Sequence, residues 1–310
     1  MKKWVGVAIL VLLAGSSMAQ EQAMPPGAEA FKKGQEAANK GNWDAAIPAL
    51  EKALSENPDL YASHYYLGFA YSNKRNFEKA GEHFAKFLEK VQADPEAAKK
   101  AAEWIANANR YGGIALARAG DANRAIPLLE KAVAAKPNDA EAHFFLGVVL
   151  LQSNQEGKAQ EHFAKVIQLS PDLPDPYYYS GRIAFNRDNF DVAKEQLEKF
   201  LQLKPDSSFA ADAHFMLGTI AVRQAQGAEG EAASAQHQAA KEHLEKFLEL
   251  KPDSPQAPQA HYILGSLAAQ SDDVETARAH FEKYLELQPD GPQAEEVKKF
   301  LAELKKPGEE

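Results

Sequence analysis

The sequence predicts an all-α solenoid of about seven helical hairpins closed by a capping helix, and three observations carry that reading. A short motif recurs along the chain, prolines punctuate it at near-regular intervals, and the apolar residues between follow a helical period. No alternating strand pattern competes.

The motif is plainest in His64-Tyr65-Tyr66-Leu67-Gly68, His143-Phe144-Phe145-Leu146-Gly147, His214-Phe215-Met216-Leu217-Gly218 and His261-Tyr262-Ile263-Leu264-Gly265. Related versions centre on Gly34, Gly113 and Gly181, which makes seven units. In most units an Ala follows the Gly by twelve residues (Ala46, Ala80, Ala125, Ala159, Ala193, Ala277) and a large apolar residue comes four later. A small residue on each of two antiparallel helices lets them approach closely, while the large one fills the space a turn further on. Pro58, Pro137, Pro171, Pro205, Pro252 and Pro289, each followed by Asp or Asn, stop the second helix and open the next unit.

This pattern resembles the tetratricopeptide repeat, whose unit is 34 residues long, and Pro137, Pro171 and Pro205 lie 34 apart. The resemblance runs from about Glu29 to Lys306 and implies a right-handed superhelix. It divides the chain into units of about 28–60, 61–93, 94–138, 139–172, 173–206, 207–253 and 254–290, with a cap at 292–306. Residues 20–27 read as a flexible lead-in and 307–310 as a disordered tail.

Two units exceed the repeat by more than ten residues, and from Pro252 to Pro289 the spacing is longer by three, at Ser254 to Pro258. The surplus at Gln92 to Ile105, with the helix start Asp94-Pro95-Glu96, is expected to extend the third unit's first helix. Trp104 and Ile105 in it should cover the flank of the second unit. The surplus at Gln224 to Ala235, with Gly227 and Gly230 and no large apolar residue, is expected to be a mobile loop. At the end, Val297, Leu301 and Leu304 form one side of an amphipathic cap, as the terminus of a solenoid requires.

The first residues have the pattern of a secretory signal. Lys2 and Lys3 precede an apolar run from Trp4 to Ala14, and Ser17 and Ala19 are small residues at cleavage spacing. Cleavage after about Ala19 would leave a periplasmic or secreted protein with no membrane span, since the run is shorter than the ~20 residues a spanning helix needs. Ser16 stands where a lipoprotein would carry its lipidated Cys. The chain has no Cys at all, so disulfides and thiolate metal sites are excluded.

Of the 310 residues 45% are hydrophobic and 25% charged, with a net charge of −9 and no basic stripe, which disfavours nucleic acid as a partner. Eight of nine His obey the repeat: His64, His143, His214 and His261 in first helices, His83, His162, His243 and His280 in second helices. Members of a unit could meet, but two imidazoles without further ligands fall short of zinc's three or four, so no metal is expected. No phosphate loop, HExxH or nucleophile elbow occurs. Neither catalysis nor a cofactor is expected.

In tetratricopeptide proteins the residue three before the Gly faces a concave channel. Here the resemblance places Phe31, Tyr65, Arg110, Phe144, Tyr178, Phe215 and Tyr262 there, with Arg182 and Arg223 as further carboxylate anchors. Tyr66, Tyr111, Phe145 and Tyr179 follow one residue on. Two placements suit these rings, against a ligand or between helices as core. Some family members clamp a peptide's carboxylate with Lys and Asn, but the matching places hold Phe31, Gln35, Tyr66, Asn107 and Tyr111, so that clamp is absent. The expected function is a non-catalytic scaffold of the cell envelope that binds a protein segment in an aromatic groove. Glycan binding by the same rings and self-association are the alternatives.

Overall fold

The structure, a computed structural model, describes residues 25–303, so the signal segment, Leu304 and the tail lie outside the described residues. Within them the chain is all-α. Its helices are α1 (Ala28–Asn39), α2 (Trp43–Glu56), α3 (Tyr61–Asn73), α4 (Phe77–Gln92), α5 (Pro95–Lys100), α6 (Ala102–Arg118), α7 (Ala122–Ala135), α8 (Ala140–Gln152) and α9 (Glu156–Leu169). They continue with α10 (Asp175–Asn186), α11 (Phe190–Leu203), α12 (Ala210–Ala225), α13 (Gly230–Leu250), α14 (Ala257–Gln270), α15 (Val274–Leu287) and α16 (Ala294–Glu303). The chain divides into two compact units between Leu169 and Ser170. The first stacks the hairpins α1–α2, α3–α4, α6–α7 and α8–α9, and the second holds α10–α11, α12–α13, α14–α15 and the trailing α16.

The hairpins close as the spacing requires, and in six of the seven the partner of the Gly is the large residue sixteen positions on, while in the lengthened sixth Gly218 meets Leu244. A Cβ on Gly147 would sit 2.8 Å from the Phe163 ring, so any side chain there collides with the residue that seals the hairpin. Phe84, Phe163, Leu129 and Leu197, the sealing residues of four hairpins, are fully buried.

Six of the seven hairpins turn through a left-handed residue seven after the Gly: Gly41, Arg75, Gly120, Asn154, Asp188 and Asp272, with φ between 54° and 81°. The second helix then starts on a polar cap. Asn42, Asn76, Asp121 and Asp273 each accept from the backbone N–H three residues on, at 3.0–3.2 Å, which satisfies an otherwise orphaned donor.

The sixth hairpin departs from the expected loop. Helix α12 continues to Ala225 and α13 starts at Gly230, leaving only residues 226–229 between them. The Ala, Glu and Gln of the surplus favour helix strongly enough to lengthen both arms around the two glycines. The other surplus also differs from expectation. Its end, Ala102 to Ile105, does extend α6, but residues 95–100 form the separate short α5, capped by Asp94 Oδ1 on the N–H groups of Glu96 and Ala97, and Ala101 breaks it from α6.

Tyr71, Leu50, Leu67 and Ala115 share a buried cluster in the first unit, and Phe84, Phe87 and Val91 another with Trp104 and Ile105 against it. At the end of the second unit Val297 is buried against Phe281 and Tyr284, with Leu301 and Phe300 packed beside it. Phe300, an addition to the cap's expected apolar side, stands edge-on to Phe281 at 5.0 Å.

Candidate partner-binding face

Within the first unit α1, α3, α6 and α8 touch in succession, and α10 touches α12 in the second, so first helices lie side by side. The ladder residues divide sharply along these rows. Tyr65 is buried, its ring stacked on Trp104 at 4.5 Å and its hydroxyl pKa pushed up by that burial. Tyr178 is buried in the same way under Phe209, at 4.4 Å and 8° between planes. Both belong to the core and are unavailable to a ligand, which corrects their assignment to the channel. Their covers occupy one repeat position, nine residues before Gly113 and Gly218. Where that position is polar, as Asp59, Asn138 and Gln256 are, the preceding ladder residue stays half-buried.

Phe31, Phe144, Phe215 and Tyr262 are the half-buried members. Phe31 meets Tyr66 edge-on at 5.9 Å, Phe144 meets Phe145 at 5.5 Å, and Phe215 leans on Phe247 at 5.0 Å. The Tyr262 hydroxyl donates to Glu296 at 3.2 Å.

The second row, Tyr66, Tyr111, Phe145 and Tyr179, is half-buried throughout, and polar or cationic groups attend each ring. Gln35 Nε2 donates to the Tyr66 hydroxyl at 2.7 Å. The Arg110 guanidinium lies 4.6 Å from the Tyr111 ring, Arg118 5.0 Å from Phe145, and Arg182 5.3 Å from Tyr179. Such cation–π contacts hold a guanidinium flat while its edge keeps donors for a ligand.

The three arginines differ in what is left to offer. Arg110 donates from Nε to Asp139 at 2.5 Å and from Nη2 to Glu141 at 2.6 Å, so it is an internal strut and no anchor for an incoming carboxylate. Arg118 also faces Glu141, at 4.0 Å. Arg182 rests on the rings of Tyr178 and Tyr179 and hydrogen-bonds to the Tyr178 hydroxyl, and among the described residues no carboxylate forms a salt bridge to it. Arg223 is exposed near the end of α12.

The repeated His meet in pairs. His64–His83, His143–His162, His214–His243 and His261–His280 each bring two Nδ1 atoms to 2.9 Å, a hydrogen-bond distance. Two metal–nitrogen bonds of about 2.0 Å meeting at a tetrahedral ion would need a wider gap. Among the described residues no group of three or more His, Cys, Asp or Glu is placed to hold a metal ion, and no helix is long and apolar enough to cross a membrane.

Stacked antiparallel hairpins sealed at a glycine, with rings and guanidinium groups on the first helices and no catalytic cluster among the described residues, define a repeat scaffold. Tetratricopeptide repeat profiles match residues 37–103 and 116–182, and a second profile of the same repeat matches 226–292. These stretches make up well over half of the chain, which belongs to the tetratricopeptide repeat family.

No protein of curated function matches it. Among solved structures, the C-terminal part of a TPR repeat-containing protein from Cytophaga hutchinsonii is 17% identical, covering 86% of this chain and 98% of its own, with a TM-score of 0.59. YrrB, described as a TPR protein with an unusual peptide-binding site, is 23% identical over 60% of this chain and 91% of its own, with a TM-score of 0.52. PilF of Pseudomonas aeruginosa is 18% identical over 75% and 95%, with a TM-score of 0.51. At these identities the likeness is one of fold.

Proposed function

We propose that this chain is a non-catalytic scaffold that holds a segment of a protein partner against its first helices, and that it is exported through residues 1–19 to act in the cell envelope. The observation that carries the binding reading is that the rings one position beyond the ladder, Tyr111 and Phe145 in the first unit and Tyr179 in the second, stay half-exposed, each with a guanidinium on or beside its face. Rings and arginines of this kind give large contact area at small entropic cost and dominate binding energy in protein interfaces. The peptide-binding site of YrrB, which shares this fold, accords with the reading. Export rests on the Lys2-Lys3 start, the apolar run and the small residues before Gln20.

The test is crosslinking from the native envelope with wild type and with a variant carrying Phe145→Ala, Tyr179→Ala and Arg182→Ala. Specific protein crosslinks that vanish in the folded variant support the reading. Proteins that persist place binding on another face, and retention on peptidoglycan that is lost in the variant would make the ligand a glycan. Processing is checked by the mass of the protein recovered from the periplasm, which should lack residues 1–19.

A further inference from the structure

Four hairpins repeat one uncommon contact, an imidazole on the first helix against an imidazole on the second. We propose that these pairs form an acid-sensitive latch, in which the second proton taken up by a pair turns its hydrogen bond into two facing cations and loosens the hairpin.

The His143–His162 pair shows how the proton is shared. His143 Nε2 lies 3.0 Å from the carbonyl oxygen of Pro137, which can only accept, so that nitrogen carries the hydrogen. In the neutral ring Nδ1 is then an acceptor, and the hydrogen between the rings belongs to His162 Nδ1. A first added proton goes to Nε2 of His162 and leaves the contact in place. A second must take His143 Nδ1, and two N–H groups then point at each other. The remaining pairs have the same 2.9 Å separation and so hold one donor and one acceptor between them.

The surroundings oppose the charged form to different degrees. Around His64 and His83 the charged neighbours are Lys79, Lys86 and Lys90, and the Tyr71 ring stacks on His83 at 5.3 Å with its hydroxyl on Glu51. Glu161 faces His162. Lys246 and Glu249 face His214, while Glu198, Glu242 and Lys194 face His243. Lys283 and Glu286 face His261, and Glu245 and Lys241 face His280. The α3–α4 pair is thus the one whose charged neighbours are all cations, and acid strains it most.

Burial, the largest cause at each site, holds His64, His83, His214 and His261 down at about 4 and lowers His162, His243 and His280. The unfolded chain's imidazoles bind protons through pH 6.5. The stabilisation is therefore complete above pH 6.5 and is lost progressively as the pH falls toward 4, because the unfolded chain binds more protons in that window. The first-helix His of each pair immediately precedes the ladder position, so loosening disturbs the ring-bearing face. That consequence rests on the binding proposal, whereas the latch does not.

The α10–α11 hairpin supplies the control. It has Tyr177 and Gln196 at the paired positions, and the Tyr177 hydroxyl donates to the Pro171 carbonyl at 3.1 Å, as His143 does to Pro137. In a variant with all four first-helix His→Tyr and all four second-helix His→Gln, the drop in melting temperature between pH 7.5 and 5.0 should shrink by more than half. His64→Tyr with His83→Gln alone should remove the largest share. An undiminished drop in the folded eightfold variant overturns the latch. If that variant does not fold, ¹⁵N NMR of the wild-type imidazoles decides. One Nδ1–H per pair and titration midpoints well below 6.5 in the rings other than His143 support the latch, and midpoints near 6.5 in all of those rings overturn it.

Discussion

The indole of Trp104 lies 4.5 Å from the ring of Tyr65 with 29° between their planes, and this stack turns a residue of the expected channel into core. Phe69, Phe84 and Phe87 pack around the same Tyr65 ring. Replacing Trp104 by Ala should cost about 3 kcal/mol, the low end for loss of a large core aromatic. Urea denaturation measures it, and a cost below about 1 kcal/mol would mean that Trp104 does not cover the second hairpin.

Gly147 and Gly157 form a matched test of the hairpin seal. Gly147→Leu drives a side chain into Phe163 and should cost about 1–3 kcal/mol by overpacking. Gly157 lies on α9 with open space for 4 Å around the position a methyl would take, so Gly157→Ala should gain about 0.5–1 kcal/mol through helix propensity. Shifts of the same sign in calorimetry would contradict the seal.

Arg75 is the only one of the six left-handed turn residues that is neither Gly, Asn nor Asp. Arg75→Gly should stabilise the chain by about 0.5–1 kcal/mol, since the relieved left-handed strain of about 1–2 kcal/mol exceeds the added entropy of the unfolded chain. Thermal melting at neutral pH reads the gain, and a loss would show that Arg75 makes a contact worth more than the strain.

Asp139 has two duties, accepting from the Ala142 N–H at 3.1 Å as the cap of α8 and from Arg110 as an ion-pair partner. Asp273 caps α15 by accepting from the Thr276 N–H at 3.2 Å. Asp273→Ala should cost about 1 kcal/mol, the usual worth of a cap. Asp139→Ala should cost about 1.5–3 kcal/mol more, because the half-buried guanidinium loses a charged hydrogen-bond partner. Equal costs would reduce Arg110 to a solvated surface charge.

The hairpins were legible because Gly, Ala and Pro each mark a local necessity: close approach, close approach again, and a stop. The split of the ladder is written in the sequence too, but outside each unit's own motif. Trp104 and Phe209, nine residues before their glycines, decide the burial of Tyr65 and Tyr178, and a residue's cover lies in the next repeat, beyond any pattern within its own. Arg110 failed as an anchor for the same reason, since Asp139 and Glu141 reach it from the following unit. The sixth hairpin misled because Gly227 and Gly230 signal a loop more loudly than the alanines around them signal helix.

That sixth hairpin separates two properties that a repeat usually ties together. His214 and His243 lie 29 residues apart in sequence where His64 and His83 lie 19 apart, yet both pairs meet at 2.9 Å. Ten added residues have been absorbed entirely at the far tip, by lengthening two antiparallel arms together, without moving the sealed base. A tip of this kind is a port for foreign sequence, where a binding loop or a label can be carried outward while the array beneath keeps its fit.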